Sequence, residues 1–200
     1  MRRVKFMMLL PIGTLLALVT PVAAAHATTG TAAAAQPAAF TCYPNTPSAF
    51  TVSNSTLVNN QTTTTIADGT PIPGGFVAQS DPPNFPSKTT GSDVASLTNE
   101  TTGHTIIHNE GGTSWFTFDP APKLPGALAT GTFVSTGSTS ELFGPKSLAA
   151  LEAAGIHEPA VVLVNGLLVM HFAVDQDGPF VTSFSLNGTQ QDGCALLAGS

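Results

Sequence analysis

Arginine is absent after Arg3, and beyond the first few residues the only lysines are Lys88, Lys123 and Lys146, set against twelve carboxylates. Past the amino-terminal leader the formal charge is 3 − 12 = −9. Phosphate groups are gripped chiefly by Lys and Arg, so nucleic acid, anionic lipid headgroups and phosphorylated substrates are poor partners for this chain. Charged residues of both signs make up only 9% of the sequence, which leaves Thr, Ser, Asn and Gln to solvate the surface. Disorder is excluded from the other side, because 42% hydrophobic residues can support a core. No apolar run after the leader is long enough to cross a bilayer, so no membrane span is expected in the mature protein. The sequence also lacks a G-x-S-x-G elbow, an H-E-x-x-H pair, a phosphate-binding Walker loop and a G-x-G-x-x-G turn opening a helix.

What is present begins with a leader. Met1 to Lys5 is basic, Phe6 to Val19 is apolar but broken by Pro11 and Gly13, and Ala23 to Ala27 offers small-x-small cleavage points. Residues 1–27 are therefore predicted to be a signal peptide, cleaved near Ala25 or Ala27, and the protein to be secreted. Residues 28–41, rich in Ala and Thr, read as a disordered linker. Residues 42–200 read as one domain, large enough to bury its own core.

Cysteine occurs only at Cys42 and Cys194, near the two ends of that domain. In an oxidising compartment such a pair is expected to form a disulfide, and neither residue sits in a redox C-x-x-C. The bridge implies that the first and last strands are neighbours.

The domain punctuates itself into apolar and Thr-rich runs. The best-defined stretch runs from Val161 to Leu186, where Asn165-Gly166 and Asp175-Gln176-Asp177-Gly178 divide three apolar runs into what reads as an antiparallel meander. Leu168, Met170, Phe172 and Val174 alternate with Val169, His171, Ala173 and Asp175, the period of a strand with one wetter face. Upstream, strands are expected at Phe50–Val58, Thr62–Ala67 (ending at Asp68-Gly69), Phe76–Gln79, Val94–Asn99, His104–Asn109, Trp115–Phe118 and Ala127–Ser135. Glu100-Thr101-Thr102-Gly103 makes a hairpin turn, and the prolines of 81–86 mark a loop. Gly144 to Gly155 breaks the pattern, with Pro145 at a first helical position and alanines behind it, so a short helix is predicted over about 145–155. The fold class is all-β: a single antiparallel β-sandwich or β-barrel with that one helix.

Three stretches carry a resemblance: LTNETTGHTIIHNEGG (97–112), TTTTIADGTPI (62–72) and FVTSFSLNGTQQDGCALLAGS (180–200). Together they resemble a group of small secreted actinobacterial proteins with a TN-x-x-TG hairpin, an upstream D-G turn, and a D-x-C-a-x-L ending matched by an early cysteine. Only the hairpin and Asp192, Cys194 and Leu196 are specific, although the resemblance spans most of the mature region. It implies an exported β-domain and supplies no catalytic residues. The alanine-rich helix and the 81–86 segment depart from the pattern.

Histidines give the remaining candidates. His104 and His108 have the spacing that binds zinc on a helix, but the residues between them, Thr105, Ile106 and Ile107, are β-branched and favour a strand. Four residues along a strand separate Cα atoms by about 13 Å, too far for two rings to share one ion. They remain candidates for a polar ligand patch with His171 and Trp115, the last a candidate sugar-stacking ring; no metal, cofactor or catalytic residue is predicted. The functional expectation is a non-enzymatic extracellular or cell-surface module that binds or builds, with cell wall as a candidate partner. The alternative is a barrel that binds a small apolar ligand or acts as a cofactor-free isomerase.

Overall fold

The computed structural model describes residues 39–65, 69–77 and 88–199. The predicted leader, the linker up to residue 38, Asp68 and the 81–86 segment lie outside the described residues. Seven strands form one antiparallel sheet: β1 (Ala39–Cys42), β2 (Phe50–Thr65), β5 (Lys88–Asn99), β6 (Thr105–Phe118), β7 (Ala129–Leu142), β8 (Val161–Asp175) and β9 (Gly178–Asp192), hydrogen-bonded in that order. Two more, β3 (Pro71–Ile72) and β4 (Phe76–Val77), make a small ribbon. Helix α1 (Pro145–Ala153) joins β7 to β8, and a second short helix, α2 (Gly193–Ala198), follows β9. The expected all-β class and helix are thus present. β1, however, begins inside the segment read as linker.

The strands are longer than the sequence suggested, because several glycines read as strand ends lie inside strands. Asn165-Gly166 is not a reversal: β8 runs unbroken through it, paired with Ser138 and Gly137 on one side and Thr189 and Gly188 on the other. The two runs 104–109 and 115–118 are likewise one strand, β6, and 50–58 and 62–65 are one strand, β2, with shifts of register at Thr56/Val58 and Asn60/Thr63. The registers align Gly91, Gly112, Gly137, Gly166 and Gly188 into one row across β5 to β9. A Cβ on Gly112 would lie 1.8 Å from the Thr136 carbonyl oxygen, and one on Gly137 would lie 2.0 Å from that of Gly111. Backbones therefore approach along this row more closely than any side chain permits.

On one side of the row the core is aromatic. Phe116, Phe133 and Phe172 are buried beside Leu168 and Met170, with ring centroids of Phe116 and Phe133 5.0 Å apart and of Phe118 and Phe172 5.4 Å apart. Each buried ring contributes about 2–3 kcal/mol of apolar transfer energy. Leu151 of α1 closes this cluster with Phe143 and Phe184, and the Ser147 hydroxyl accepts a 3.0 Å bond from the Val181 amide on the outer edge of β9. The opposite face is covered by the ribbon, whose Ile72 and Phe76 pack on Val134, Leu167 and Val169.

On the other side of the row the sheet folds over itself. By register Val52 and Leu97 lie on the face of Phe133, whereas Leu142, Val161 and Leu163 lie on the reverse. All five nevertheless meet in one cluster around Cys194 and Leu197 of α2. α2 is set by the Asp192 side chain, which accepts from the Ala195 amide at 2.9 Å, and by left-handed Gly199. The Cys42–Cys194 disulfide locks this end, with Cα atoms 5.6 Å apart. The expectation that the first and last strands are neighbours holds only at their ends: β1 and β9 lie at opposite edges of the sheet, and the bridge joins the end of β1 to α2, just after β9.

Candidate functional site

The polar cluster of the molecule sits where β6 and β7 part. Their backbone pairing runs from Phe118–Gly131 to Gly111–Ser138 and stops, although both strands continue. Side chains take over from there. His108 Nε2 lies 3.1 Å from Ser138 Oγ, and the Ser140 amide donates to Glu110 Oε1 at 2.9 Å. The Ser140 hydroxyl donates to the same oxygen. Asp93, directly across β5 from Glu110, takes a hydrogen bond from that carboxyl, and Glu141 lies close enough to raise its own affinity for a proton.

Burial dominates the electrostatics. Removal from water pushes Glu110 up to about 7, with the neighbouring Asp93 adding to the rise against the opposing bonds from Ser140. Burial also raises Asp93, and it raises Glu141 well above the usual carboxylate range, where the Glu110 charge reinforces it. His108 moves the other way, lowered mainly by burial, so its ring favours the neutral state. The result is a hydrogen-bonded carboxyl pair, both members pushed toward the protonated form by burial, lining a cleft of about 60 Å³ with hydroxyls that include Thr89, Ser135 and Thr139.

The structure separates the histidines proposed from sequence. His108 stands four residues before Gly112 and His171 five after Gly166, in strands that run the same way and share the glycine row. Nine residues amount to about 30 Å, and the odd count places them on opposite faces. His104 lies at the start of β6, its Nδ1 3.4 Å from the Leu197 carbonyl oxygen. His171 meets Thr132 Oγ1 at 2.9 Å and stands edge-on to Phe76, with ring centroids 6.2 Å apart. Trp115 shares its face with His171 and packs into the ribbon cluster beside Val134, while Phe116 is buried in the core on the reverse. Of the proposed patch, only Trp115 and His171 share a region.

Sequence reasoning passed over Asp93, Glu110 and Glu141. Their signal was present but weak: each is the single acid of its strand, a place where a charge must find partners. A second cleft, of about 230 Å³, lies beside the disulfide between Tyr43, Leu148 and Ile156, with Glu152 and Glu158 on its rim. Among the described residues, no three His, Cys, Asp or Glu side chains are placed to hold one metal ion. No described helix is long and apolar enough to cross a membrane. Comparison with protein-family models, with curated proteins and with solved structures finds no match to this chain.

Proposed function

We propose that this chain is an exported, disulfide-clasped β-domain that acts outside the cell as a non-enzymatic binding or structural module. The observation that supports this most directly is where its acid–base side chains go. His108 and Glu110 join β6 to β7 in place of backbone bonds, so their polar atoms are engaged by the fold. A hydrolytic triad needs a base oriented by a carboxylate and aimed at a nucleophile, and here His108 meets Ser138 without a carboxylate bonded to its ring. The bridge between Cys42 and Cys194 and the basic–apolar leader agree with an oxidising, extracytoplasmic destination. The buried phenylalanines Phe116, Phe133 and Phe172 pack on one another rather than around a cavity, which weighs against an apolar-ligand barrel.

Expression of the full chain in an actinobacterial host, followed by fractionation, tests the location. The mature protein is expected in the medium or the wall fraction, beginning after Ala25 or Ala27. Purified from there, it should be retained saturably on wall polymer and leave the polymer's mass spectrum unchanged. Recovery from the cytoplasm, or release of cleaved polymer fragments, would overturn the reading.

A further inference from the structure

The larger cleft lies beside the disulfide, where three segments far apart in the chain meet. Tyr43 and Pro44 directly follow β1, Leu148 and Glu152 stand one turn apart on α1, and residues 156–160 carry the chain from α1 into β8. Its walls are apolar, formed by Tyr43, Pro44, Leu148 and Ile156. Tyr43 has a left-handed φ of 50°, and its carbonyl oxygen accepts from the Thr46 amide and hydroxyl, so a tight turn presents the ring beside Phe50, with centroids 6.0 Å apart. The charge around these apolar walls is of one sign. Glu152 is exposed at the rim and Glu158 is half-buried. Burial, and after it the charge of Asp192, raises the proton affinity of both Glu158 and Tyr43. Gln190 Nε2 donates to Glu158 Oε2 at 2.5 Å, a neutral partner that leaves the carboxylate charge uncompensated. No lysine lines the cleft, and His157 makes no ion pair among the described residues. Lys123 is engaged with Asp119, Lys146 with Asp175 and Asp177, and Lys88 pairs with Trp115 at the aromatic end.

We propose that this cleft binds an aliphatic ammonium group on a short apolar stem, presented by the free amines of cell-wall polymer. The choice of polymer rests on the reading of the chain as an extracytoplasmic binding module; the ammonium chemistry rests on the cleft alone. Leu148 and Ile156 offer a surface for the methylene stem, Glu152 and Glu158 meet the charge at the rim, and the Tyr43 ring adds a face that attracts a cation. The volume decides between a whole small ligand and one group of a larger partner. Pockets for drug-sized ligands hold about 300–1,000 Å³, and this cleft holds about 230 Å³, which suits one side-chain-sized group of a partner that extends beyond it. A metal ion fits poorly, because no three acidic, His or Cys side chains among the described residues are placed to share one.

The test uses mature protein with its disulfide intact, at low salt and about pH 8, titrated with Nα-acetyl-lysine amide and followed by amide proton–nitrogen NMR. Saturable shifts are expected at the amides of Tyr43, Ile156, His157 and Ala160. The Nα,Nε-diacetyl probe, with the same stem and no charge, is expected to leave them in place. The double variant Glu152→Gln, Glu158→Gln keeps side-chain shape and should weaken binding about tenfold, whereas Asp177→Asn, at the far end of β8, should leave it unchanged. A flat titration overturns the proposal, as does equal binding of the diacetyl probe or unchanged affinity in the double variant. In parallel, retention on wall polymer is measured before and after the polymer's amines are acetylated. Loss of retention is expected, and equal retention overturns the polymer as the source of the amine. Should neither polymer retain the protein, the wall-module reading fails by itself, and the probe titration still decides the cleft.

Discussion

The two ends of the long strands, on either side of the glycine row, are held together by different physics. At the aromatic end β6, β7 and β8 keep an unbroken backbone ladder, and Phe116, Phe133 and Phe172 fill the space above it. At the disulfide end the ladder between β6 and β7 lapses, and a titratable network, a small helix and a covalent bridge do its work. Apolar packing is indifferent to pH and redox state, whereas carboxyl networks and disulfides respond to both. The difference teaches that one sheet can hold an inert half and a responsive half, divided by a line of residues without side chains.

Breaking the line itself should have the largest effect. Gly137→Ala puts a methyl group against the Gly111 carbonyl at a backbone angle of φ 111°, which L side chains rarely adopt, and no relaxation is available without separating the strands. We expect no cooperatively folded protein, checked by near-ultraviolet circular dichroism and thermal melting. Removing the bridge with Cys42→Ser and Cys194→Ser should cost up to about 5 kcal/mol, given the 152-residue separation of the cysteines. Hydrogen exchange should then rise first in β1, α2 and the amino-terminal part of β2, while amides near Phe172 stay protected. Equal loss of protection at both ends would erase the contrast.

Phe172→Ala probes the inert half and should cost about 4 kcal/mol in urea denaturation, the same at pH 5 and pH 8. The responsive half should behave otherwise. Burial pushes Glu110 up to about 7 in the folded chain against 4.5 for the free side chain, so the folded state holds the proton more tightly. Its contribution is complete below about pH 4.5 and disappears as pH rises through about 7, a loss of about 3 kcal/mol. Glu110→Gln should flatten that decline in urea unfolding measured from pH 5 to pH 8; an unchanged slope would place the pH sensitivity elsewhere.

Much of this architecture was legible locally. Alternation in 168–174, the turn at Asp175–Gly178, the hairpin turn 100–103 and the proline-led α1 all follow from period, turn chemistry and capping, which neighbouring residues decide. Asp192 and Gly199 bracket α2 with recognisable cap residues, yet six residues are too few for periodicity to declare a helix. The polar site was not legible, since Asp93, Glu110 and Glu141 come together only through the pairing of β5 with β6 and the side-chain bonds that join β6 to β7.

By itself the sequence determined an apolar, nearly cation-free β-chain with two cysteines, because composition and short-range pattern are properties of the chain before it folds. The tertiary structure alone decided that its glycines would line up in one row inside strands rather than form turns, and that lone acids from neighbouring strands would share one cleft. Both outcomes depend on register, which is fixed by contacts between residues far apart in the chain.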